Sequence, residues 1–247
     1  MNVRVGTAGV ISAMTRPNHT LFFLLLALVL TVGCKSPPPT TQRQEAPSQT
    51  SRHSRRARGT LGEPGDFDYY VLALSWSPEF CHGHPDKPEC ASGRFGFVVH
   101  GLWPQNTDNY PENCSTQPGL SDPTRMTDIM PDPGLVAHEW STHGTCSGLD
   151  ADAYFDRVRQ AFASVKVPPR LAAPGRTFSI TPRDLKQEFL SANPRLKEEN
   201  LAVSCGNNYL TGISVCMDKQ LQPRACEGLR DCRANVIKVP PVRGGEY

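Results

Sequence analysis

Phe67-Asp-Tyr-Tyr-Val-Leu-Ala-Leu-Ser75 is a run of aromatic and aliphatic residues with little polar interruption. Its length and composition predict a central strand buried on both faces. Downstream, Arg94-Phe-Gly-Phe-Val-Val-His-Gly101 predicts a second strand that carries His100 at its end. Further on, Tyr154, Phe155, Val158, Ala161, Phe162 and Val165 recur with helical spacing. Asp150 or Asp152 stands near the start of that helix, where carboxylates are favoured. Thr181-Pro182-Arg183-Asp184 sets an N-cap before a proline at the first helical position, so a helix runs to about Leu190. Residues 201–204 and 209–216 predict late strands around an Asn207-Asn208 turn, and 236–239 a short final one. Strands at both ends of the body with helices between them predict an α+β fold.

The chain has 247 residues, enough for one domain or two small ones. Hydrophobic residues make up 38%, which can build a core, but the several apolar runs of about 20 needed by a multi-span membrane protein are missing. The 23 prolines imply much loop. Of 26 Lys/Arg and 24 Asp/Glu, residues 1–60 hold eight and one, which leaves the body at −5. A mildly acidic body has no basic stripe with which to displace counterions, so broad electrostatic nucleic-acid binding is excluded and any such recognition is local to a site.

Arg4 and Arg16 precede the apolar run Leu21–Leu30, which has the length of a signal-peptide core and is short for a bilayer span. It ends in Leu30-Thr-Val-Gly-Cys34, which resembles the lipobox of bacterial lipoproteins except for Thr31, where Leu is usual. The expectation is a signal segment over 1–33 and a lipid on Cys34, with simple secretion as the alternative. Residues 34–62, rich in Pro, Ser, Thr, Gln and Arg, predict a disordered basic tether to a membrane surface, and 63–247 the folded domain. Arg52, Arg55, Arg56 and Arg58 read as a solvated linker run, with contact to anionic lipid or RNA as the alternative. With Cys34 set aside, eight cysteines remain in the body, an even number that reads as disulfides formed in an oxidising compartment. The protein is thus expected to be exported, as a periplasmic or cell-surface lipoprotein or else secreted.

Seven histidines fall into two groups. His19 and His53 lie in the leader and tether, and His82 and His84 in a short polar loop between Cys81 and Cys90. His100, His138 and His143 belong with chemistry. His100 precedes Gly101-Leu-Trp-Pro104, and the other two lie in Val136-Ala-His-Glu-Trp-Ser-Thr-His-Gly-Thr-Cys146. A helical turn there puts Glu139 and His143 at i,i+4 on one face, with His138 close beside them. A helical zinc pair needs two histidines at i,i+4. Here the histidines are five apart, so zinc is disfavoured. The other reading is metal-free acid–base catalysis, in which one neutral and one protonated histidine work near a pKa of about 6.5. Transfer of a phosphodiester to a neighbouring 2′-hydroxyl needs such a base, such an acid, and donors to the phosphorane. A histidine pair would serve other hydrolyses as well.

Phe97-Val-Val-His-Gly-Leu-Trp-Pro104 and His138-Glu-Trp-Ser-Thr-His-Gly-Thr-Cys146 resemble the two active-site segments of the ribonuclease T2 family. Leu74-Ser-Trp-Ser-Pro-Glu-Phe-Cys81 resembles its first core strand, and Tyr110-Pro-x-x-Cys114 the stretch after the first segment. The resemblance runs from about Phe67 to Val239. It implies an α+β fold with a central antiparallel sheet flanked by helices and stapled by disulfides. It also implies a monomeric, acid-favouring endoribonuclease that needs no metal or cofactor. Single-stranded RNA would be cut through a 2′,3′-cyclic phosphate to 3′-phosphate ends. His143 would be the base on the 2′-hydroxyl and His100 the acid for the 5′-oxygen, with Glu139 and His138 on the phosphate. Trp103 and Tyr110 would stack on a base, a contact open to any sequence. Core packing is the alternative for both, and the first reading for Trp140. The implied disulfides are Cys81–Cys90, Cys114–Cys146, Cys205–Cys232 and Cys216–Cys226.

One position departs from the family. The residue before the second active-site histidine is usually Lys and here is Thr142, which can meet the substrate with a hydroxyl but no charge. Losing one transition-state donor costs roughly 10²–10³ in rate. A catalytically weak or inactive surface RNA-binding relative is therefore the alternative function.

Overall fold

The computed structural model describes residues 59–243. The expected signal segment, Cys34 and nearly all of the expected tether lie outside the described residues. The strands are β1 (Gly59–Leu61), β2 (Tyr69–Trp76), β3 (Phe97–Gln105), β4 (Tyr110–Glu112), β5 (Phe178–Ile180), β6 (Leu201–Gly206), β7 (Tyr209–Met217) and β8 (Ile237–Val239). The α-helices are α1 (Ser77–Gly83), α2 (Pro133–Thr142), α3 (Ala151–Ala163), α4 (Pro169–Ala172) and α5 (Pro182–Ala192).

The main sheet is built on β2, which pairs antiparallel with β3 on one side and β7 on the other. β6 returns antiparallel along β7. Their hairpin turns at Asn207-Asn208, with φ of 49° and 62°. Two successive positive φ values are what a tight hairpin turn requires, and asparagine tolerates them better than most residues. β8 meets β7 in parallel at Tyr209–Lys238 and carries β5 antiparallel.

Alternation along β2 assigns each face of the sheet a task. Tyr70, Leu72, Leu74 and Trp76 point into the main core, with Tyr154, Phe155, Val158 and Ala161 of α3 and Leu185 and Phe189 of α5. Each such side chain contributes roughly 1.5–3 kcal/mol on burial. Both helices start on a side-chain cap: Asp150 accepts from the Ala153 N–H, and Thr181 from the Asp184 N–H. Tyr69 and Val71 point the other way, into a small second cluster with Cys216. Ala73 and Ser75 continue that second face as small residues lining a cleft.

Four disulfides staple the fold: Cys81–Cys90, Cys114–Cys146, Cys205–Cys232 and Cys216–Cys226. Three expectations need correction. The second strand does not end at His100 but continues to Gln105, because Leu102 and Pro104 still pair with β2. The stretch Leu74–Cys81, expected with the first core strand, leaves the strand after Trp76, and Ser77–Gly83, which holds His82, is a helix with Pro78 in its first turn and His84 as its C-cap. The folded part also starts inside the segment expected to be tether, since Gly59–Leu61 pairs with β4.

Candidate active site

The site forms where the edge strand β3 meets α2. In β3, Ala73 pairs with Gly101 but the next residue, Leu74, pairs with Val99, so His100 is an extra residue in the strand. In a regular strand His100 and Trp103, three apart, would face opposite sides. The bulge re-aims one of them, and their rings lie 5.5 Å apart, edge to face. Ser75, on the neighbouring strand, fixes the His100 ring through a 3.1 Å contact between Oγ and Nδ1. This leaves Nε2 toward Glu139, 3.5 Å from its Oε1.

α2 begins at an Asp132 cap, whose carboxylate accepts from the Gly134 N–H, with Pro133 in the first turn. Val136 and Trp140 anchor it in the core, and Trp140 donates its Nε1 hydrogen to the Gln117 carbonyl. Glu139 therefore projects past the edge of β3 and is buried there. Its carboxylate accepts a 2.7 Å hydrogen bond from Trp103 Nε1. The space it occupies is vacated by Gly101, where a Cβ would lie 2.1 Å from Glu139 Oε2 and 2.4 Å from Trp103 Nε1. His143 caps the helix, its N–H donating to the Glu139 carbonyl at 3.0 Å. Its ring is 5.5 Å from Trp103 and 6.5 Å from Tyr110. The Cys114–Cys146 disulfide holds the turn that follows.

Burial sets the electrostatics. It pushes the Glu139 carboxyl up to about 8, only partly opposed by the Trp103 hydrogen bond. It pushes His143 down to about 4, helped by His138 and His100, and lowers His100, helped by His138. At neutral pH the contact between His100 and Glu139 therefore joins two neutral groups. Among the described residues, His143 Nδ1 is a buried ring nitrogen with no hydrogen-bond partner.

His100, Glu139, His143, Trp103 and Tyr110 thus come together. His138 lies one residue from Glu139 and lines a 480 Å³ cleft with His100. Thr142 Oγ1 stands 3.5 Å from His138 Nδ1. Trp140 is a core residue. Two contributors escape a reading of sequence. Ser75 carries no signal beyond its place in an apolar strand. Among the described residues, Lys87 is the single Lys or Arg lining the His100–His138 cleft, and it comes from the polar stretch closed by Cys81–Cys90. Its Nζ is 3.6 Å from Asp132 Oδ2.

Comparisons with known proteins give the lineage and the fold. The ribonuclease T2 family profile matches residues 67–226, which contain every site residue named above. A ribonuclease of Aeromonas hydrophila is 39% identical over 125 residues, 49% of this chain and 57% of that protein. A probable ribonuclease of Haemophilus influenzae is 32% identical over 179 residues, 65% of this chain and 61% of that protein. The chain thus spans about three fifths of the length of these two relatives. Among solved structures, an RNase-related protein from Calystegia sepium superposes with a TM-score of 0.59 at 21% identity, covering 72% of this chain and 98% of that one. RNase NT in complex with 5′-AMP gives 0.54 at 21% identity, covering 71% and 99%. These structural matches carry the fold, and the profile carries the lineage: the chain belongs to the ribonuclease T2 family.

Proposed function

We propose that this chain is an endoribonuclease that cuts single-stranded RNA by histidine acid–base chemistry without a metal. One observation carries the reading: His100 and His143 flank Trp103, with the buried carboxyl of Glu139 bonded to its indole nitrogen. In the first step His143 takes the proton of the 2′-hydroxyl. The 2′-oxygen forms a bond to phosphorus, the bond from phosphorus to the 5′-oxygen breaks, and His100 gives that oxygen a proton. The products are a 2′,3′-cyclic phosphate and a 5′-hydroxyl. In the second step the roles reverse: His100 activates a water, and His143 protonates the departing 2′-oxygen to leave a 3′-phosphate. Glu139 and His138 meet the phosphate oxygens, and Trp103 and Tyr110 offer ring faces to the upstream base.

The electrostatics favour acid. His143 stays a neutral base down to about pH 4. His100 is a protonated acid only below its lowered pKa, which lies under the ordinary 6.5. Activity is therefore expected to peak between these limits and to fall on either side. Lys87 supplies the cation that Thr142 lacks, from across the cleft.

Incubation with a synthetic RNA, with and without EDTA, tests the reading. Cleavage to cyclic phosphate and then 3′-phosphate, undiminished by chelator, is expected. Loss of activity in EDTA, restored by zinc, would overturn it. Binding without cleavage would favour the alternative, a surface RNA-binding relative, for which Thr142 is the motivating residue. The RNA substrate needs no protein partner in this reading. Four disulfides in one domain suit an exported protein, and we place it in the periplasm or on the cell surface, held by a lipid on Cys34. Mass spectrometry of the mature N-terminus tests that placement. A diacylglyceryl cysteine is expected, and an unmodified N-terminus would mean simple secretion.

A further inference from the structure

Two clefts meet at Ser75, Phe80 and His100. The 480 Å³ cleft holds His138 and Lys87, beside Val98 and Leu135 and the carboxyl groups of Glu89 and Asp132, and in the ribonuclease reading it receives the leaving nucleoside. The second cleft, of 520 Å³, runs from His100 and Trp103 across the second face of the sheet to β6 and β7. Its size falls within the roughly 300–1,000 Å³ of ligand pockets. His100 and Trp103 stand at its border, but its remaining lining on α1, β6 and β7 has no role in the chemistry described above.

Its construction suits a nucleobase. The floor is small and hydroxyl-bearing, with Ala73, Ser204, Thr211 and Ser214. The wall is α1, where Phe80 and His84 stack in parallel with ring centroids 4.3 Å apart and 10° between planes. His84 Nδ1 lies 2.9 Å from the Phe80 carbonyl oxygen, which orients the ring. The wall is tied down by the Cys81–Cys90 disulfide and by a 3.0 Å hydrogen bond from Ser77 Oγ to the buried Glu89. It is therefore set in place before any ligand arrives. Glu79 lines the same wall with a carboxyl group able to accept from the amino group of a base, and His82 offers a donor to a phosphate.

We propose that this cleft is a further nucleotide site, which seats the base one position beyond the leaving nucleoside of the RNA strand against the Phe80–His84 pair. The side is set by continuity: the cleft joins the His138 cleft at Ser75, Phe80 and His100, which protonates the leaving 5′-oxygen, whereas of the two upstream rings it meets Trp103 at its border and not Tyr110. The inference rests on the ribonuclease reading above. It makes the protein an enzyme that prefers strands of three or more nucleotides over a dinucleotide.

The test uses oligonucleotides with a single 2′-hydroxyl and 2′-O-methyl groups elsewhere, so that only one bond is cleavable. A dinucleotide is compared with a trinucleotide extended on the 3′ side, and with one extended on the 5′ side. The 3′ extension is expected to raise kcat/KM about tenfold, the size of one stacked base. Ser204→Trp, which fills the floor from an exposed position, and His84→Ala, which removes half of the stacked pair, should each bring that ratio toward one. A gain confined to the 5′ extension would overturn the placement, as would an equal loss on dinucleotide and trinucleotide. Binding of fully 2′-O-methylated oligomers keeps the two readings apart, because these cannot be cut. If the trimer binds more tightly than the dimer and Ser204→Trp removes the difference, the site stands even should cleavage fail. If the two bind equally in the wild type, the site is overturned even with cleavage intact.

Discussion

His100 and His143 each lie 5.5 Å from the Trp103 indole, and the chain builds the two positions by different means. His100 comes from an edge strand, through a bulge, with a hydroxyl on its inner nitrogen and 41% of its side chain in solvent. His143 comes from the C-cap of a helix and has a buried ring nitrogen without a partner among the described residues. An acid that must regain a proton each cycle benefits from solvent and an orienting partner. A base that must stay neutral benefits from burial among other histidines. The asymmetry of the proposed roles rests on the difference in surroundings and not on the residue type, which is the same.

The most severe way to break this comparison is to remove either ring. His100→Ala and His143→Ala should each lower kcat by roughly 10²–10⁴ in an RNA cleavage assay. The pH profiles of the residual activities should differ. His143→Ala should lose the acid limb near pH 4, and His100→Ala the alkaline limb. Identical residual profiles would deny the assigned roles.

A subtler break separates the strand from the helix. In Gly101→Ala the new methyl group collides with Glu139 Oε2 and Trp103 Nε1, both anchored. Either the carboxyl is expelled or β3 moves away from α2. A displacement near 1 Å costs on the order of 10² in rate, so about a hundredfold fall is expected with the fold retained, as read by circular dichroism. Activity close to wild type would show that strand and helix need not register.

Much of this was legible in sequence. The two-sided burial of β2 follows from its apolar run, and the caps at Asp150 and Thr181 from residue type and spacing. The Glu139–His143 pairing follows from the helical repeat, and the four disulfides are the pairs that the family resemblance implies. The bulge at His100 was not legible, because a bulge is a property of two strands in register and only one strand carries the histidine. Nor was α1, whose first residues read with the preceding strand and whose His82 read as loop, until the disulfide and the Ser77–Glu89 bond fix them. Lys87 was hidden for the same reason. Long-range closure decides its position, and the local sequence is silent about it.

Glu139 sharpens the comparison through stability. Its carboxyl, raised to about 8, holds its proton in the fold where an unfolded chain would release it near 4.5. Its contribution is complete below the unfolded value and is lost as pH rises through 8. His143, lowered to about 4, acts in the other direction, with its contribution complete above 6.5 and lost as pH falls toward 4. Between about 4.5 and 6.5 the two slopes oppose. Glu139→Gln removes one slope, so its melting temperature should rise with pH over that window and fall less than that of the wild type between pH 6.5 and 8. Activity should drop roughly tenfold, the scale of one hydrogen bond to the phosphate. A melting profile parallel to wild type would mean that Glu139 is ionised in the fold.

The smallest effect is expected at the position that departs from the family. Thr142 sits one residue before His143 and within 3.5 Å of His138, between the two histidines of the helix. Thr142→Lys would place a charge there, close to the forming phosphorane and close to both imidazoles. If no other cation fills the role, the first consequence is a rise of a few-fold in kcat with KM nearly unchanged, because the charge matters most as the phosphorane forms. The second is a further fall in the His143 pKa by like-charge repulsion, which moves the acid limb, and with it the optimum, to lower pH. Lys87→Ala supplies the control. If Lys87 carries the role left open by Thr142, its loss should lower kcat several-fold, and Thr142→Lys should restore most of that loss in the double variant while adding little to the wild type. A rise in the single variant with no effect from Lys87→Ala would show that the site works without a cation and gains from one. If kcat falls and the protein also becomes less stable, then Thr142 is a packing residue of the helix end, and its difference from the family belongs to the fold rather than to the chemistry.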